Sequence, residues 1–147
     1  MTDSVNRVIQ RHLDQLKKEI SAYKNEDDLW EMTGEIPNCA GNLCLHLCGN
    51  LQHYIGANLG DTGYIRQRDK EFSDKHIPVS DLVNLIEVTS KTVSETLLTY
   101  DKSKLTDNYP EEVFGYPMTI EFFLIHLVGH LGYHIGQVNY HRRLIKT

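Results

Sequence analysis

The chain has 147 residues, of which 40% are hydrophobic and 24% are charged, and its formal net charge is −5 at pH 7. These values are ordinary for a soluble globular protein, and an acidic chain without a lysine- and arginine-rich run is a poor partner for nucleic acid. No uninterrupted apolar run reaches the ~18 residues that span a bilayer, so a membrane partner is not expected either.

The cysteines and the N-terminus indicate a cytoplasmic protein. Cys39, Cys44 and Cys48 are odd in number and clustered, which is a poor framework for disulfides and fits a reducing compartment. The first residues lack the apolar segment of a secretory signal. A chain of this length fits one domain, which we assign to residues 1–147. We interpret Cys44 and Cys48 as small core residues.

Four segments show the apolar period of an amphipathic helix, and the connections between them are long. The pattern predicts helices over about 4–23, 40–59, 81–100 and 119–144, with Ser80 and Thr119 as N-caps of the last two. The loop 61–79 is polar, but Tyr64, Ile65 and Phe72 predict that it packs on the domain. No strand-like alternation competes with this pattern. The predicted fold is therefore all-α, a four-helix bundle with long crossover loops.

Three histidines recur at every fourth position near the C-terminus: His126, His130 and His134. Residues four apart lie on nearly the same face of a helix, so two neighbouring imidazoles can bind one metal ion. The first and third are about 12 Å apart along the axis, so only one adjacent pair can share an ion. The stretch therefore predicts half of a metal site.

The second predicted helix carries the histidines that can complete the site, His46 and His53. They are about 10.5 Å apart along the helix axis, so a mononuclear site takes one of them, and spacing leaves the choice open. His130 and His134 with one such histidine give three imidazoles and an open position, which is typical of a catalytic metal site. The remaining histidines are interpreted as surface or boundary residues: His12, His76 and His141.

Two stretches together resemble the DinB superfamily. They are Leu45-His46-Leu47 with Gly49-Asn50-Leu51, and His130-Leu131-Gly132-Tyr133-His134-Ile135-Gly136-Gln137; the family often has Arg where this chain has Ile135. The resemblance implies a DinB-like four-helix bundle, frequent dimers, and a divalent metal ion, commonly zinc or nickel. Matched residue by residue, it implies His46, His130 and His134 as the metal ligands. His53 then becomes a pocket-side or structural residue, and His126 a core histidine.

The resemblance also implies an activity, because characterised DinB relatives include transferases and isomerases that use low-molecular-weight thiols such as bacillithiol, mycothiol or glutathione. It implies a small-molecule substrate and a thiol cosubstrate for this chain. Arg66 and Arg68 are candidates to receive a carboxylate of either molecule. Asn50 and Gln137 are candidate polar groups around the metal ligands or the pocket. We assign no general base.

Two other interpretations remain at this point. The chain can be a metal-binding bundle without catalysis, for example a stress-related binding protein, or a bundle whose histidines are all structural. Glycines within the second and fourth helices indicate a close approach of another helix, either inside the chain or across the seam of a homodimer. We expect a homodimer. We assign no catalytic residue from the sequence.

Overall fold

The computed structural model describes residues 1–145, and Lys146 and Thr147 lie outside the described part. Its helices, in chain order, are α1 Thr2–Ser21, a 3-10 helix Glu26–Trp30, α2 Ala40–Leu51, a π-helical segment Gln52–Ala57, α3 Asn58–Gly60, α4 Arg68–Ser73, α5 Val79–Thr99, a 3-10 helix Lys102–Lys104, and α6 Ile120–Ile145. The only β interaction recorded in this part is an isolated bridge between Asn108 and Thr119. The predicted all-α fold is confirmed.

The bundle consists of four long rods. The first is α1, the second runs without a break from the start of α2 to the end of α3, the third is α5 and the fourth is α6. α1 packs mainly on α5 and α6, while α2 packs on α4, α5 and α6. Apolar residues of all four rods form one buried core, among them Leu13, Leu47, Ile86 and Leu131. Within residues 1–145, no helix combines the length and the apolar character that crossing a membrane requires.

The helix starts follow local chemistry that the sequence reveals only in part. The Thr119 hydroxyl accepts the N–H of Phe122 at 3.2 Å, so the predicted cap of α6 is confirmed. The predicted cap Ser80 is wrong, because α5 begins at Val79. There the extended Pro78 acts as N-cap, and its carbonyl accepts the N–H groups of Asp81 and Leu82. The fixed φ of proline suits this position, so the helix starts earlier than expected.

The three cysteines are fully buried free thiols, which confirms the interpretation of Cys44 and Cys48 as core residues. Cys44 and Cys48 lie one turn apart in α2. The hydrogen bond with Cys48 and burial raise the pKa of the Cys44 thiol. A thiol with a raised pKa is a weak nucleophile, so its surroundings do not activate Cys44.

The crossover after α3 contains a helix that the sequence pattern did not predict, α4. Its C-terminal end is fixed to α2 by Asn42, whose side-chain amide donates to the carbonyls of Glu71 at 2.9 Å and Asp74 at 2.8 Å. The crossover therefore packs on the bundle, as expected for this loop. Two residues depart from that expectation, since Tyr64 is 37% and Ile65 84% exposed.

His141 is buried, and its prediction as a surface residue is wrong. Its Nδ1 lies 2.6 Å from the hydroxyl of Tyr23, and its Nε2 lies 2.8 Å from the carbonyl of Glu31. Burial lowers the pKa of His141, so the neutral ring fits these partners. The connection after α1 folds back over the end of α6, and a sequence pattern within α6 cannot show that cover.

A buried carboxylate joins the two terminal helices. Glu19 of α1 accepts hydrogen bonds from Arg142 at 2.8 Å and Asn139 at 2.7 Å, both on α6, and from Gln15 at 2.9 Å. Burial alone would raise the pKa of Glu19, but these donors outweigh burial and hold the pKa below its usual value. The ionised carboxylate therefore stabilises the contact between α1 and α6.

We expect Glu19→Gln to lower the free energy of unfolding at neutral pH by about 1–3 kcal/mol, because Arg142 and Asn139 lose a charged acceptor. The folded pKa lies below the unfolded one, so this stabilisation is present above the unfolded pKa and is lost as the pH falls through the folded pKa. Urea unfolding of both proteins should therefore converge in acid. The control Glu87→Gln, which removes an exposed pair with Lys17, should change stability by less than about 0.5 kcal/mol. Equal effects of the two substitutions would contradict this role of Glu19.

Candidate metal centre

Three imidazoles meet between α2 and α6. One ring nitrogen each from His46, His130 and His134 can be chosen so that all three atoms lie within 4.8 Å of one another. The ring centroids are 5.1 Å apart for His46 and His130, 5.3 Å for His46 and His134, and 4.6 Å for His130 and His134. The structure thus brings together the three residues predicted as metal ligands.

The position of the histidines on α6 explains why they face the second rod. Leu127 and Leu131 of α6 are buried in the core, whereas Tyr133 is 66% exposed. His130 and His134 lie at the boundary between these two faces, one turn apart and on the same side of the helix. His46 approaches from the buried face of α2. The rings therefore meet at the edge of the core, where a site has both an apolar wall and access to solvent.

The spacing of the donor atoms suits a tetrahedral ion. His46 Nε2 lies 3.2 Å from His130 Nε2. Two nitrogen ligands of a tetrahedral zinc ion, each about 2.05 Å from the metal, are about 3.3 Å apart. In the tautomers that ligate a metal, both Nε2 atoms carry lone pairs, which would repel each other at this distance unless a cation lay between them. This pair of atoms therefore fits a shared metal ion.

A buried carboxylate orients His46. Glu71 Oε1 lies 3.1 Å from His46 Nδ1, and the side chains of both residues are more than nine-tenths buried. Arg66 donates from Nε to Oε2 at 2.8 Å and from Nη2 to Oε1 at 2.9 Å. Burial would raise the pKa of Glu71, but the hydrogen bonds from Arg66 and His46 hold it below its usual value. An ionised carboxylate at Nδ1 favours the tautomer with hydrogen on that atom, which leaves Nε2 as the donor to a metal.

Gln137 orients His134 in the same way. Its side-chain oxygen lies 2.6 Å from His134 Nδ1, so the ring donates to the amide and its Nε2 keeps the lone pair. Burial lowers the pKa of His134, while the hydrogen bond to Gln137 opposes this effect. Two of the three candidate ligands thus have a partner on the ring nitrogen that does not face the cluster.

His130 is the most strongly perturbed of the three. Burial, with the neighbouring His134 and His46, lowers the pKa of His130 to about 3. The ring is therefore neutral at physiological pH and has a lone pair to offer. Its buried Nδ1 has no hydrogen-bond partner within residues 1–145. The neutral ring can offer a lone pair to a metal ion, and three imidazoles are a donor set that suits zinc, copper, iron or nickel.

The other predicted site residues lie at different distances from the cluster. Arg66 meets the carboxylate of Glu71, whereas Arg68 is exposed and lies over the ring of Phe72, with its guanidinium carbon 5.5 Å from the ring centroid. Asn50 is buried one turn beyond His46, and its Oδ1 has no hydrogen-bond partner within the described residues.

The two remaining histidines of these helices lie outside the group of three. His53 pairs with Glu111 at 2.8 Å through its Nε2. His126 is half-buried, and its ring packs on Phe123 and Phe114, with centroid distances of 5.5 and 4.7 Å. Its ring centroid is 6.1 Å from that of His130. His126 is therefore part of an aromatic cluster beside the candidate centre.

Glu71 is the residue of this site that the sequence analysis missed. It sits in a long polar crossover, where a single glutamate has no distinguishing pattern. The sequence signal that could have pointed to Glu71 is Gly49, three residues after His46. Glycine is unfavourable inside a helix, so its presence there indicates that another group needs the space. A side-chain carbon at Gly49 would collide with the Glu71 carboxylate, so the glycine marks the place where the carboxylate enters.

These features define an all-α bundle whose two histidine-bearing rods form a three-imidazole group that can hold a metal ion. The chain matches the family described as "Protein of unknown function (DUF1572)" over residues 2–147, and it belongs to that family. No curated protein matches the chain.

We expect Gly49→Ala to disturb the centre without touching a histidine. The new methyl group displaces Glu71, so the free energy of unfolding should fall by about 1–3 kcal/mol and zinc affinity by about 10-fold. The control is Gly136→Ala on α6, where an added carbon meets open space and zinc affinity should stay unchanged. Thermal unfolding and zinc titration with a competing chelator measure both quantities. Unchanged zinc affinity in Gly49→Ala would show that Glu71 does not support the centre.

Proposed function

We propose that this protein is a DinB-like metalloprotein that binds one divalent ion, zinc or nickel, through His46, His130 and His134. The observation that supports it most directly is the convergence of the three rings, with Glu71 and Gln137 on the outer nitrogens of two of them. The superfamily assignment rests on the sequence resemblance together with the all-α bundle. The metal assignment rests on the donor set and its spacing.

We further propose that the metal centre serves a thiol S-transferase or isomerase. A divalent ion held by three neutral imidazoles supplies a Lewis acid with an open position, which lowers the pKa of a thiol. In the transfer, the thiol sulfur forms a bond to an electrophilic carbon, the S–H proton passes to solvent, and any leaving group departs with its electron pair. The small-molecule substrate is then the electrophile, and the cosubstrate is a low-molecular-weight thiol.

The chain's own residues have defined roles in this proposal. Glu71 and Gln137 hold two rings in the tautomer that binds metal, and burial keeps His130 neutral. Glu71 is already hydrogen-bonded by Arg66 and His46, so it acts as a positioning residue rather than as a general base. Arg66 is largely committed to Glu71, which leaves the exposed Arg68 as the better placed guanidinium for a carboxylate of the thiol.

We expect His130→Ala to abolish both metal binding and turnover. Zinc affinity should fall by more than about 100-fold, because an outer partner of a ligand is already worth 10–100-fold. The matched control is His126→Ala, one turn away on the same helix and outside the group of three, which should bind zinc as the wild type does. Isothermal titration and elemental analysis measure the metal.

The same variants separate enzyme from binding protein. Metal-loaded protein is incubated with bacillithiol, mycothiol or glutathione and with 1-chloro-2,4-dinitrobenzene, and conjugation is followed by absorbance. The enzyme proposal expects turnover in wild type and His126→Ala and none in His130→Ala. Zinc binding in the wild type with conjugation at the uncatalysed rate for every thiol would leave a non-catalytic metal-binding bundle. Equal zinc affinity in wild type and His130→Ala would remove the metal centre itself.

We propose a homodimer that uses the outer face of α6. Phe122, Ile125 and Tyr133 lie on this face and are 50%, 60% and 66% exposed. Exposed apolar side chains in a continuous stripe are typical of an interaction surface. The glycines of the second rod do not support the dimer. Side chains of the same chain already fill the space beside Gly49 and Gly56, so a helix of a second copy cannot approach there. We propose a cytoplasmic location for the protein. The proposal includes no nucleic-acid partner and no membrane partner.

We expect Ile125→Glu to convert the dimer to a monomer, because it places a charge in the apolar stripe. The control Val88→Glu changes an apolar residue of α5 that is 56% exposed, and it should leave the dimer intact. Sedimentation velocity distinguishes a 17.0 kDa monomer from a particle of twice that mass. A monomeric wild type would exclude this arrangement.

A further inference from the structure

A cavity of about 390 Å³ lies beside the candidate metal centre. It is open to solvent on one side, since Tyr140 and Leu144 are each 64% exposed. Its walls come from the connection before α2, the start of α2 and the end of α6, and the lining residues include Ile36, Pro37, Leu43, Gln137, Tyr140 and Leu144. The volume is in the range of small-molecule sites. The cavity is therefore sized for a compact organic molecule.

The walls of the cavity select against anions. They are mainly apolar, and Glu35 is the only acidic residue among them; no lysine or arginine from the described part of the chain lines the cavity. His141 also contributes to the wall, but both of its ring nitrogens are occupied by Tyr23 and Glu31. A carboxylate placed here would have no cationic partner among the lining residues and would share the cavity with Glu35. An uncharged ligand suits the walls.

Gln137 connects the cavity to the histidine cluster. Its side-chain oxygen accepts from His134, and the NH2 group of this exposed side chain has two donors for a ligand or for water. Leu43 precedes His46 by three residues and Gln137 follows His134 by three, which is about 4.5 Å of helix rise in each case. The cavity thus begins within one turn of two candidate ligands.

We propose that this cavity binds an uncharged, mainly apolar small molecule that carries a hydrogen-bond acceptor for the Gln137 amide. In the thiol-transfer reaction it is the binding site of the electrophile, while the anionic thiol approaches from elsewhere. The second statement rests on the proposed function. Binding of the apolar molecule does not, because the walls exist without a metal ion.

The test uses the uncharged fluorescent probe N-phenyl-1-naphthylamine with the full-length protein, both zinc-free and zinc-loaded. Wild type should bind the probe at one saturable site in both forms. Two variants each place a carboxylate in the cavity wall, Ile36→Glu from the connection before α2 and Leu144→Glu from α6, and each should weaken probe binding at least about tenfold. The control is Leu98→Glu on α5, at a residue that is 57% exposed and outside the cavity lining, and it should bind the probe like wild type.

Zinc titration and circular dichroism of the same proteins separate the two proposals. Leu144→Glu that stays helical and binds zinc normally, but loses the probe, supports the cavity site. Probe binding that is absent in the wild type, or equal in wild type and both wall variants, overturns it. If the wild type binds the probe but no zinc, the metal proposal fails and the apolar site stands. An anionic analogue, 1-anilinonaphthalene-8-sulfonate, should bind more weakly than the uncharged probe, and tighter binding of the anion would refute the selectivity argument.

Discussion

The candidate centre depends on one buried charge, the carboxylate of Glu71. A carboxylate taken out of water costs several kcal/mol unless it is paired and hydrogen-bonded, and Arg66 and His46 supply those partners. The carboxylate also needs space, which the absent side chain of Gly49 provides. The positions of α4, Gly49 and the His46 ring therefore depend on one another. The crossover between α3 and α5 is therefore a structural part of the candidate site. The hydrogen bond from Asn42 of α2 to the carbonyl of Glu71 holds α4 in the position that this carboxylate requires.

The last helix shows how one element serves three purposes. One side of α6 fills the core, the boundary carries the histidines, and the outer side presents apolar residues to solvent. A helix that is apolar on both sides has weak amphipathic character, and the pattern alone cannot tell a buried rod from one with an exposed binding face. Gln137 at the boundary touches both His134 and the neighbouring cavity. Its position allows an occupant of the cavity to affect the orientation of a candidate ligand.

The errors of the sequence analysis have a common physical cause. His141 was expected at the surface because its own helix gave no reason to bury it, but Tyr23 and Glu31 arrive from the other end of the chain. Glu71 was not recognised because a glutamate in a polar crossover is usually solvated. In both cases the decisive contact joins segments far apart in sequence. A local sequence pattern indicates which residues are neighbours along one helix. The burial and hydrogen bonding of His141 and Glu71 instead depend on residues from other segments of the chain.

The sequence by itself determined the four rods, the cap at Thr119 and the pair of rings from His130 and His134 on one face of the last helix. Helical periodicity, capping chemistry and the spacing of histidines are local properties of the chain. Choosing His46 over His53 required the family resemblance, and the folded rods bring that choice to within ring contact of α6. Only the tertiary structure decided what surrounds the rings. The carboxylate behind His46 and the apolar cavity beside Gln137 exist because the crossovers fold back onto the bundle, and the energy of burying a charge is set by that packing rather than by any residue alone.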